Sequence, residues 1–170
     1  MSRFFDALNV VNKALAIVSG VALGLTTLAV AADVIARTLG FEPPPWTIAG
    51  SEFVMLYVTV LGAPYMVRIK GHVFVEALIM NLPRGVKRVI EKLIYLLCVG
   101  VSLFLAWFSL GATINAFATH DFDMRGFDMP WGWIYGPMTF GLVLTALEFV
   151  RFLLGSDSIY VVDATARDTI

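Results

Sequence analysis

Charge is scarce in this sequence: only 15% of its 170 residues are Asp, Glu, Lys or Arg, where a soluble domain carries about a quarter. Cysteine is nearly absent. Cys98 stands alone, which excludes an intrachain disulfide and a thiolate-held metal. His72 and His120 are the only histidines, too few for a histidine-rich metal site. A net charge of −1 recommends neither nucleic acid nor an acidic surface as partner. No Walker-type phosphate loop, HExxH, GxSxG or CxxC occurs, so the sequence offers no recognised nucleotide, zinc or nucleophile motif. No enzyme and no cofactor are expected in this chain.

What the sequence does have is apolar length: 59% of its residues are hydrophobic and the mean hydropathy is +0.82. A helix crossing about 30 Å of hydrocarbon at 1.5 Å per residue needs about 20 apolar residues. Ala14 to Ala32 is uncharged for 19 residues and Leu93 to Thr119 for 27. Two further runs qualify once a terminal charge is admitted, Glu52 in one and Glu148 with Arg151 in the other. A charge costs about 2.5–3.5 kcal/mol at the bilayer centre and less toward the interface. The sequence therefore predicts an all-α membrane protein, one membrane domain over residues 1–170, with four transmembrane helices near 14–36, 48–67, 93–119 and 131–154. The "AVA" at 29–31 resembles a signal cleavage site. The run before it has full spanning length, so a retained span is expected.

The bases set a direction, because Lys and Arg of short loops stay on the cytoplasmic side. With four spans, Arg3, Lys13, Arg68, Lys70, Arg84, Lys87, Arg88, Lys92, Arg151 and Arg167 fall on one side, and only Arg37 and Arg125 on the other. Both termini are thus expected in the cytoplasm. Trp46, Trp131, Trp133 and Tyr135 gather at the opposite boundary as an aromatic belt. Beyond Gly71, Phe74, Val75, Leu78, Ile79 and Leu82 share one helical face before Pro83. This predicts a short amphipathic interfacial helix at about 72–82, between spans two and three.

Several residues stand out as packing or contact candidates. Asp33 and Arg37, four apart at the outer end of span one, can pair, and Glu52 reaches the same depth, so the three are expected to tie spans one and two. A coupling carboxylate at Glu52 is the functional alternative. Ala16, Gly20 and Gly24 recur at steps of four, a stripe that lets another helix approach closely. Pro64 and Pro137 lie inside spans two and four, where they are expected to kink the helices. Trp107, near the middle of span three, is expected to fill protein-facing space. His72 and His120 fall on opposite sides of the membrane, so they cannot ligate one haem.

Taken together, "DVIARTLG", "PPPWTIAGSEF", "LGAPYMVRIKGHVFVEALIMNLP" and "MPWGWIYGPMTFGLVL" resemble the small membrane subunit, the DctQ family, of tripartite ATP-independent periplasmic (TRAP) transporters, over roughly residues 10–154. That resemblance implies a four-span subunit of the bacterial inner membrane, bound to a large membrane subunit that holds the substrate and sodium sites. It also implies a periplasmic substrate-binding protein that delivers an organic acid, of C4-dicarboxylate or sialic acid type, for uptake driven by an ion gradient. The matching positions are Arg37, Trp46, Glu52, Gly62, Arg68, His72, Pro83, Pro130, Tyr135 and Pro137, which the likeness assigns to fold and subunit contact. Many members carry an acidic residue shortly after the histidine; here "HVFVEA" supplies Glu76.

Two other readings compete. A four-span homodimeric exporter coupled to protons needs a carboxylate near the midplane, and Glu52 sits near the outer edge. A membrane anchor of a quinone-linked oxidoreductase lacks paired haem ligands here. The chain shows no inverted repeat and no paired broken helices, the usual ingredients of a transport path of its own, so a partner is expected.

Overall fold

The computed structural model describes residues 2–42, 46–69, 84–124 and 128–155. Four helices dominate: α1 (Ser2–Thr38), α2 (Trp46–Arg68), α3 (Arg84–Thr119) and α4 (Trp131–Leu154). All four are long and apolar enough to cross a membrane. At 1.5 Å per residue, α2 and α4 measure about 35 Å and match the hydrocarbon, whereas α1 and α3 reach about 55 Å and overshoot it. The apolar runs in the sequence mark the stretch that suits lipid, not the whole helix. Thus α1 begins at Ser2 rather than near residue 14, and α3 at Arg84 rather than near 93, both extending through basic sequence. The expected interfacial helix, with His72 and Pro83, lies outside the described residues.

One small departure from an all-α fold occurs between α3 and α4. Two-residue strands β1 (Phe122–Asp123) and β2 (Met129–Pro130) pair antiparallel, with Phe122 opposite Pro130 and Asp123 opposite Met129. His120 stops α3 by adopting a left-handed φ of 53°, and the Trp131 amide bonds the Asp121 carbonyl at 3.1 Å, fastening the connection to the start of α4. At the same end, α1 closes in a Schellman turn. Phe41 N–H donates to Ala36 O and Gly40 N–H to Arg37 O, with Gly40 at φ 83°, a conformation that glycine adopts without penalty.

The helices stand in the order α1–α2–α4–α3, each packing extensively only on its neighbours in that order. Contacts climb together along α2 and α4, from Phe53 with Ile134 at one end to Arg68 with Glu148 at the other. These two helices run parallel, as the second and fourth crossings of an up-and-down path require. One apolar cluster, Ala49, Phe53 and Ile134, closes the α2–α4 seam at the belt end. A second joins Val67 of α2, Tyr95 and Val99 of α3, and Phe149 and Phe152 of α4 at the opposite end. Lipid tails are as apolar as these side chains, so burial alone gives little drive for association; close packing and polar bonds between helices must supply it.

Candidate functional site: a buried ionic hub and a proline-patched seam

The seam between α2 and α4 contains both prolines that sequence reading marks as kinks. Each lacks an N–H and so frees the carbonyl four residues earlier, Val60 for Pro64 and Trp133 for Pro137. Tyr57 of α2 answers the second gap, donating its hydroxyl to the Trp133 carbonyl at 2.7 Å. The first gap faces glycine. A Cβ at Gly141 would collide with the Val60 oxygen, so only the absence of a side chain lets the freed carbonyl lie against α4. Both freed carbonyls thus face the α2–α4 seam, consistent with how neighbouring membrane helices accommodate backbone groups that proline releases. On the other flank of α4, Thr139 donates to Tyr135 O at 3.0 Å and sits 2.9 Å from Ser109 Oγ of α3. Ser109 in turn donates to the same Tyr135 carbonyl at 3.2 Å.

Toward the C-terminal ends of α2 and α4, the seam closes on charge. Glu148 is fully buried. Its Oε1 accepts from Asn12 Nδ2 at 2.7 Å and from Arg68 Nη1 at 2.9 Å, and its Oε2 accepts from Arg151 Nε at 2.9 Å. Asn12, also fully buried, must present its amide nitrogen here, because an ionised carboxylate only accepts. Arg68 additionally donates to the Phe5 carbonyl at 3.3 Å, and the Arg151 guanidinium lies 4.5 Å from the Phe152 ring centre. One carboxylate thus gathers α1, α2 and α4. A buried charge persists only when paired; breaking such a pair from one side costs about 3–5 kcal/mol. Asn12 Oδ1 is buried without a hydrogen-bond partner.

Of the residues singled out in the sequence, Arg68 enters this hub and Pro64 and Pro137 form the seam. Asp33 and Arg37 pair at 2.9 Å as their spacing suggests, while Glu52 is exposed on α2. Tyr135 stacks on Trp131 with ring centres 5.7 Å apart, Pro130 caps the start of α4, and Trp46 is exposed at the start of α2. Gly20, Gly24 and Gly62 have no heavy atom within 4 Å of where a Cβ would stand. The Gly20–Gly24 stripe consequently opens outward, in a shallow groove lined also by Val21, Leu25 and Leu28. Trp107 is 75% exposed; it does not fill space inside this chain. Sequence reading passed over Asn12, Tyr57 and Gly141, and took Glu148 and Arg151 only as charges near a span end. The i, i+3 spacing of the last two was the available signal.

Among the described residues no group of His, Cys, Asp or Glu could hold a metal ion. No curated protein matches the chain. The family model for tripartite ATP-independent periplasmic transporters, DctQ component, matches residues 26–157, a stretch that holds both prolines, Arg68 and Glu148. By that match, the chain belongs to the DctQ component family of tripartite ATP-independent periplasmic transporters.

Proposed function

We propose that this small TRAP-transporter subunit acts as a static brace for the large membrane subunit, and that its outer connections help dock the periplasmic binding protein. The observation that carries the reading is the joint design of hub and stripe. Glu148 locks α1, α2 and α4 together at one end, while the Gly20–Gly24 face of α1 is left uncovered by the described residues. A rigid body with an open close-packing face suits a part that is held against something larger. Both termini lie in the cytoplasm on this reading, because ten of the twelve bases then remain inside, in a bacterial inner membrane. The transported solute is an organic acid of C4-dicarboxylate or sialic acid type, and sodium ions bind in the partner subunit.

The competing exporter reading fares worse on the same geometry. Its proton carrier would have to be a membrane carboxylate free to exchange, whereas Glu148 is held by two arginines and an amide. Co-expression with the large subunit tests the brace. Gly20→Leu combined with Gly24→Leu should abolish copurification and uptake while leaving the small subunit folded. Robust uptake by vesicles containing this chain alone would overturn the proposal.

A further inference from the structure

We propose that the hub at the C-terminal ends of α2 and α4 seats the phosphate of an anionic phospholipid, held by the guanidinium groups of Arg68 and Arg151. The two guanidinium groups share one carboxylate, so the three side chains carry a net positive charge. Glu148 has already accepted three N–H bonds, one from each hub partner, and can absorb little more. Each arginine shows one nitrogen to Glu148, Arg68 through Nη1 and Arg151 through Nε. Their side chains keep 16% and 22% of their surface accessible, against none for Glu148. The accessible part of the hub therefore belongs to the two arginines.

Depth selects the ligand. Arg68 is the last residue of α2, and Arg151 lies three residues from the end of α4. Both therefore stand at the boundary of the hydrocarbon, where phosphate oxygens are the abundant acceptors. A guanidinium fork matches a phosphate in two parallel bonds. Exposed Lys13, next to Asn12 on α1, adds charge on the same helix. The leaflet is the cytoplasmic one on the orientation proposed above; the site itself does not depend on that orientation.

The experiment is native mass spectrometry of the full chain in mild detergent, alone or copurified with its membrane partner, titrated with phosphatidylglycerol or phosphatidylcholine. Phosphatidylglycerol should be retained selectively. Arg151→Gln should lower its retention about fivefold, the weight of one basic residue at an anionic surface, whereas Glu148→Gln, which removes the competing negative charge, should raise it. Arg88→Gln with Lys92→Gln, both exposed on α3, should change little. Equal retention of the two lipids, an equal loss on changing the α3 bases, or full competition by inorganic phosphate at matched concentration would each overturn the proposal. If Arg151→Gln does not fold, the Glu148→Gln arm decides: unchanged or reduced phosphatidylglycerol retention overturns it.

Discussion

The Tyr57 hydroxyl donates to the Trp133 carbonyl at 2.7 Å, and that carbonyl is the one Pro137 leaves without its helical donor. The bond repairs one helix with a side chain from another. Tyr57→Phe should therefore destabilise the α2–α4 seam by about 1 kcal/mol, within the range for interhelical bonds in membranes. The cost should shrink when Pro137→Ala restores an N–H at that position. A double-mutant cycle on unfolding in detergent measures the coupling; strictly additive losses would deny the repair.

Removing Glu148 should be more damaging than neutralising it. Glu148→Ala leaves Arg68 and Arg151 without their shared acceptor, at a cost of about 3–5 kcal/mol. Glu148→Gln keeps an acceptor oxygen and should lose distinctly less. Thermal unfolding monitored by circular dichroism ranks the two, and melting temperatures equal to that of the unaltered protein would argue that the hub contributes nothing to holding the helices.

Two glycines in the same seam helices should respond in opposite senses. Gly141→Ala drives a methyl against the Val60 carbonyl and should destabilise by about 1–3 kcal/mol through overpacking. Gly62→Ala meets nothing within 4 Å and should be neutral or stabilising by up to about 1 kcal/mol, the helix preference for alanine. Paired denaturation curves of the two variants check the contrast.

Glu52→Gln addresses coupling. On the bracing reading, both assembly with the large subunit and organic-acid uptake survive this change. An assembled complex with uptake lost would make Glu52 a coupling carboxylate.

The four crossings were legible because a span announces itself within about 20 consecutive residues, and the Asp33–Arg37 pair because four residues separate its members along one helix. The family was legible too, from order and spacing of short stretches around Arg37, Trp46, Arg68 and Pro137. The hub was not. Asn12 and Glu148 stand 136 residues apart, and nothing local marks Asn12 as a partner for a carboxylate in the last span. The prolines were read as kinks, but what fills the gap behind each one, Tyr57 in one case and Gly141 in the other, depends on which helices become neighbours. The helices run past the expected spans for a related reason: hydropathy reports the apolar stretch, while α1 and α3 continue as helices beyond it.

The α1–α2–α4–α3 order carries a last implication. Helices arrayed side by side, each extensively touching only those beside it, form a palisade and not a ring, and a palisade encloses no lumen. A polar solute following the described helices across a bilayer would find one of its flanks left uncovered by them throughout.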